Sequence, residues 1–125
     1  MLQPKNYTRA YLDNDLYLAD AQDGVFVDPE KQAQVMTAEE AARIGKHVSN
    51  LRIVVIKGYP YYDDERLKEF RRVGEPSFVL TYDQFDLLPE RDQRLTIPRG
   101  EEFRKVMEKE ASYWQRRRNR DGDRG

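Results

Sequence analysis

The sequence predicts an α+β protein: a small, mostly antiparallel sheet of about five to six strands, two to three helices, and a long C-terminal helix. Three observations carry this. Short apolar runs are separated by turn residues in the N-terminal third. The element order reads β-β-β-α-β-α-β-(α)-β-α, without the strict alternation of a parallel sheet. At 125 residues the chain is one small domain's worth. Residues 1–118 therefore read as a single domain and 119–125 as a disordered tail without apolar content.

The first strand is expected over Tyr7–Leu12, followed by a turn at Asp13-Asn14-Asp15. Leu16–Ala19 and Val25–Val27 are the next two strands, and Gln22-Asp23-Gly24 carries the hairpin signal between them. Asp28-Pro29 closes the third strand. Thr37-Ala38-Glu39-Glu40 has the spacing of a capping box. The helix it opens is expected to run past Gly45 to Val48, carrying His47, and to end at Ser49-Asn50. Leu51–Lys57, with its continuous apolar centre, predicts a central strand.

Gly58–Tyr62 breaks that strand and is the expected hinge between halves. Asp63-Asp64-Glu65 suits the first turn of a helix reaching Val73, with Leu67, Phe70 and Val73 as its apolar stripe. Gly74 and Pro76 stop it. Ser77–Tyr82 is a strand, Asp83–Leu88 a short helical turn, and Arg94–Ile97 an edge strand ended by Pro98. Glu101 to about Arg118 is the longest helix, acidic at its start and basic at its end, as the macrodipole favours. Phe103, Val106, Met107 and Trp114 share one face, with Ala111 beside it. No internal repeat is visible.

Charged residues make up 36% of the chain, yet 22 Lys and Arg nearly cancel 23 Asp and Glu. The whole surface is therefore not a general electrostatic binder of nucleic acid. The balance is uneven: residues 99–125 carry nine basic and six acidic groups. Cysteine is absent, which excludes disulfides and thiol chemistry. The N-terminus lacks a signal-peptide pattern and the longest apolar run is Ile53–Ile56, so a soluble cytoplasmic protein is expected.

Catalytic signals are sparse. His47 is the single histidine, and a lone helix histidine is most often structural. No serine lies in a nucleophile elbow and no phosphate-binding glycine loop is present. Asp13, Asp15, Asp20, Asp23 and Asp28 crowd one hairpin but miss the EF-hand pattern. No catalytic residue, metal ligand or cofactor is assigned, and the protein is read as no enzyme.

Two contact clusters stand out. Tyr59, Tyr61 and Tyr62 around Pro60 form either a lid on the core or a protein-binding patch, with Arg71 and Arg72 as its polar rim. Tyr113 and Trp114 precede Arg116, Arg117, Arg118 and Arg120, a set able to stack on bases and grip phosphates, or simply to complement a helix end.

Residues 16–56 resemble a short module recurrent in small bacteriophage and prophage proteins. The residues that carry it are Leu16-Tyr17-Leu18, Gly24-Val25-Phe26-Val27, Ala33, Thr37-Ala38-Glu39-Glu40-Ala41 and Arg52-Ile53-Val54. The resemblance implies a protein that works by binding a host or phage protein. The leading expectation is thus a non-enzymatic modulator or inhibitor of a larger machine, such as a host defence or nucleic-acid-processing enzyme. A nucleic-acid-binding accessory protein is the alternative, and a metal-dependent hydrolase built on the hairpin carboxylates the second. The apolar face of the last helix leaves a homodimer open.

Overall fold

A computed structural model describes residues 6–122, with side chains through Asn119. The fold is α+β: two antiparallel sheets of five strands each and three α-helices, the last one long. The chain divides into two compact units, Met1–Arg52 and Ile53–Gly125. The division falls between Arg52 and Ile53, ahead of the expected hinge at Gly58–Tyr62, because Tyr59–Asp64 is itself a strand.

In the first unit β1 (Thr8–Leu12), β2 (Asp15–Asp20), β3 (Val25–Asp28) and β4 (Ala33–Thr37) form a meander. Helix α1 (Ala38–Arg43) follows, and β5 (Val48–Ser49) returns beside β1, giving the order β4-β3-β2-β1-β5. Ala10, Leu12, Phe26 and Ala41 make the core, with Tyr17, Ala19 and Met36 against it.

In the second unit β6 (Ile53–Ile56), β7 (Tyr59–Asp64), β8 (Glu69–Arg72) and β9 (Val79–Thr81) form the meander. Helix α2 (Tyr82–Asp86) and a 3-10 turn at Glu90–Asp92 lead to β10 (Leu95–Thr96), which returns beside β6. The order is β10-β6-β7-β8-β9. Helix α3 (Gly100–Gly122) ends the chain. Val54, Ile56, Tyr61 and Phe70 make the core, with Tyr59, Leu80, Tyr82 and Phe85 against it.

The two units are the same fold. Four strands in a meander, a short threonine-capped helix and a return strand beside the first strand describe both. The correspondence runs at a fixed offset of 44 positions from β1 to the end of α1. Core positions match: Ala10 with Val54, Leu12 with Ile56, Tyr17 with Tyr61, Phe26 with Phe70, Met36 with Leu80, Ala41 with Phe85. The turns match as well. Asp13-Asn14 and Lys57-Gly58 are two-residue loops with positive φ throughout, the backbone that suits the twist of flanking strands. Asp20 and Asp64 each open a four-residue loop and accept backbone N–H groups within it, from Gln22 and Asp23 and from Leu67. Thr37 and Thr81 cap α1 and α2 by accepting from Glu40 N and Gln84 N. The return strands fit one scheme, Leu12 opposite Val48 and Ile56 opposite Leu95. So a repeat is present although none is visible in the residues read singly. Identity survives at Tyr17/Tyr61, Asp20/Asp64, Phe26/Phe70, Val35/Val79 and Thr37/Thr81.

Several expectations change. The helix expected over residues 63–73 is the β7–β8 hairpin. Asp64 begins its loop and Lys68 takes φ 53, a left-handed residue with no glycine to announce it. Pro60 lies inside β7 without breaking it. Its carbonyl accepts from Val73 N just beyond the end of β8. Helix α1 stops at Arg43, because Gly45 at φ 74 forms a Schellman cap. Gly45 N bonds Ala42 O and Lys46 N bonds Ala41 O. His47 therefore lies in the loop before β5 and not on the helix. The reciprocal capping box belongs to Thr81 and Gln84 of α2. Strand β4 was not expected. Helix α3 continues through 119–122, residues read from the sequence as tail; residues 123–125 lie outside the described residues.

If the two cores are equivalent, Phe26→Ala and Phe70→Ala will each cost about 3–5 kcal/mol. Urea unfolding of the two variants tests this, and a cost near zero at either site would show that its position is not a core anchor.

Candidate functional site

The two clusters singled out in the sequence meet in the second unit. Strand alternation decides how. Tyr59 and Tyr61 share one face of the sheet with Arg72, which pairs with Tyr61 across the ladder. Tyr62 and Arg71, paired with each other, lie on the opposite face. The expected patch is thus split between two faces and is not one surface.

Arg72 is 6% exposed and Glu110, from the middle of α3, is 2% exposed. They form a two-pronged pair: Arg72 Nε donates to Glu110 Oε2 at 2.8 Å and Nη2 donates to Oε1 at 2.9 Å. Gly74 N donates to the same Oε2 at 3.0 Å. Aromatic rings enclose the guanidinium. Its carbon lies 3.9 Å from the Tyr59 ring centre, 5.2 Å from Trp114, 5.4 Å from Tyr113 and 5.9 Å from Tyr61. Burial raises the Tyr61 phenol above its ordinary pKa, and Arg72 pulls the other way. The tyrosines at 59 and 61 therefore close the core over a buried cation.

Helix α3 is seated by this pair and by Phe103, Val106, Met107, Tyr113 and Trp114 along the same side. Ala111, expected beside that side, is exposed, and Glu110 takes the buried place. Trp114 is so close to Gly74 that a Cβ there would stand 2.0 Å from its Cδ1. Arg117 donates to the Tyr113 hydroxyl at 3.2 Å and lies 5.8 Å from the Trp114 ring centre. Both rings are thus occupied by cations of their own chain. Arg116 bonds Ser112 O, and Arg116, Arg117 and Arg118 are exposed. The side chain of Arg120 lies outside the described residues.

On the other face Arg71 pairs with Asp64, and its Nε stands 3.6 Å from Glu69. The Asp64 carboxyl is held below its ordinary pKa, first by the Leu67 N–H and then by Arg71. On the Arg72 face, Tyr82 donates to Asp63 at 2.5 Å, and burial with that carboxylate raises its phenol well above the usual range.

Among the hairpin carboxylates, Asp13, Asp20 and Asp28 are engaged locally. Asp20 and Asp28 accept backbone N–H groups of their own loops. Asp13 accepts from His47 N at 3.0 Å and from Lys46 Nζ at 3.2 Å. Among the described residues no group of three or more His, Asp or Glu is placed to hold a metal ion. No helix among them is long and apolar enough to cross a membrane.

Comparison with protein-family models, curated proteins and solved structures finds no match.

Glu110 is the residue that sequence reasoning missed, since a lone glutamate on a charged helix carries no sign of burial. Removing it leaves a buried guanidinium, so Glu110→Ala should cost about 3–5 kcal/mol. Arg72→Met combined with Glu110→Leu should recover much of that in urea unfolding. Gly74→Ala should displace Trp114, and the emission of this single tryptophan reports it.

His47 has its pKa lowered by burial, with Asp13 opposing. The folded state then binds its proton less readily than the unfolded chain. Its contribution holds above the ordinary histidine value of 6.5 and is lost as pH falls through the lowered one. Urea midpoints across this window should fall with pH, and His47→Gln should flatten the slope.

Proposed function

We propose that this protein is a non-enzymatic, cytoplasmic binding module that acts by contact with another protein through its sheet edges. One observation supports the reading. Of the residue pairs identical between the two units, Tyr17/Tyr61 and Phe26/Phe70 serve the cores, Asp20/Asp64 the turns and Thr37/Thr81 the helix caps. Val35 and Val79 lie instead on the edge strands β4 and β9, 43% and 40% exposed. The two valines correspond by the 44-residue offset, although Val35 sits at a bulge of β4 and Val79 pairs with Arg71 in β9. An exposed apolar side chain on both edge strands contributes little to folding and suits contact with a partner. Val48 and Leu95, on the opposite edges, are exposed at equivalent positions too.

The narrower form of the proposal is a phage-encoded modulator or inhibitor of a larger host machine, and it is supported by the resemblance of residues 16–56. The Tyr59–Arg72 cluster no longer supplies the surface, because Tyr61 and Arg72 are buried.

Val35→Lys together with Val79→Lys should leave stability within about 0.5 kcal/mol per site. It should abolish the set of proteins that the native chain captures by crosslinking in lysate. An unchanged set from the folded double variant would refute the edge surface.

A further inference from the structure

We propose that α3 carries a second contact site, which binds the phosphate backbone of double-stranded nucleic acid without reading its sequence. Lys105, Lys109, Ser112 and Arg116 follow one another at spacings of four, three and four residues, so they share one line along the helix. All four are exposed. Beyond Glu108 the exposed side chains of α3 are neutral or cationic as far as Asn119, because Glu110, the carboxylate in that stretch, is buried against Arg72. Arg117, against Tyr113 and Trp114, and Arg118 are exposed near the helix end on other sides of the helix and are not part of the line.

The β6–β7 turn lies beside this surface: Lys109 Nζ lies 3.9 Å from where a Cβ on Gly58 would stand. Carboxylates border the N-terminal part of the site. Glu101 is engaged by Arg104, Glu102 and Glu108 fall three residues either side of Lys105, and Asp92 stands 4.0 Å from Lys57. From Lys109 to Arg116 no exposed carboxylate intervenes.

The chemistry of the partner follows from charge and from what the rings cannot do. From Lys105 to Arg116 the line is about 16 Å long at the rise of an α-helix. A duplex carries one charge per strand for roughly every 3.4 Å of its axis, so several phosphates oppose the line in any register. A folded acidic protein would need carboxylates matched to that spacing. Tyr113 and Trp114 are enclosed by Arg72, Arg117 and Gly74, so they offer no stacking platform for unpaired bases. The site is separate from the edge strands and does not depend on them.

The full-length chain is titrated into a fluorescently labelled duplex of about 20 base pairs, and anisotropy is read between about 50 and 200 mM salt. The expected log affinity falls with log salt at a slope near −3, for roughly three phosphate contacts. Two duplexes of unrelated sequence should bind alike. Lys105→Glu with Arg116→Glu should weaken binding at least about tenfold at the lowest salt and reduce the slope by about two. Lys109 is left in place because its ammonium stands 5.3 Å from the Tyr59 ring centre and contributes to packing. Circular dichroism of the double variant confirms its fold. No binding at low salt, equal binding by the folded double variant, or strong preference for one duplex sequence would each overturn the proposal. Tighter binding to polyglutamate than to duplex would overturn it in favour of an acidic protein partner.

Discussion

The buried pair between Arg72 and Glu110 is the interaction on which the second unit depends. A guanidinium in a sheet core is tolerable only if its charge and its donors are met, and Glu110 meets them with two parallel hydrogen bonds. Four aromatic rings then pack around the cation. A hydrophobic contact of equal area would let α3 slide or rotate, since apolar packing has little directionality. A two-pronged ion pair does not, so it sets the register of a long helix whose other contacts are apolar and aromatic. The same carboxylate takes the Gly74 N–H, which ties the end of the β8 region to the helix.

The first unit lacks this arrangement. It has no counterpart of α3, and the positions matching Tyr59 and Arg72 are Asp15 and Asp28. Its core is built from smaller side chains, with Ala10 and Ala41 where the second unit has Val54 and Phe85. One backbone plan thus supports two core sizes, as expected where total volume is adjusted on both sides of the contact. The second unit has the larger side chains and the extra helix.

Much of this was legible in the sequence, and the rest was hidden for identifiable reasons. The Asp-Gly signal at Gly24, the threonine cap at Thr37 and the charge polarity of α3 are local, so they read correctly. The 63–73 segment misled because acidic residues suit a helix start and a hairpin loop equally. Only the positive φ of Lys68 separates the two, and lysine does not advertise it. Of the proposed contact residues, the sequence picked out Tyr59, Tyr61, Arg72, Tyr113 and Trp114, which do cluster. It could not show that they cluster inward, because Glu110 was not recognised as their partner. The repeat was faint for a related reason: paired core residues changed size between the units, so similarity is reduced to a spacing. Asp20, Phe26 and Thr37 recur as Asp64, Phe70 and Thr81 at that offset, and this recurrence was the available signal.

The first turn of each unit is latched to its own return segment by an ion pair, and the polarities are opposite. Asp13 meets Lys46 in the first unit, while Lys57 meets Asp92 in the second. Tandem copies of one fold invite misassembly, in which a return strand pairs with the wrong first strand. Here such an exchange would set Asp13 against Asp92 and Lys57 against Lys46, turning two attractions into two repulsions. Exposed pairs of this kind contribute only about 0.2–1 kcal/mol each, so they do little for the finished fold. What the reversed signs supply is a difference: each return segment carries the charge that its own first turn attracts and the other unit's first turn repels.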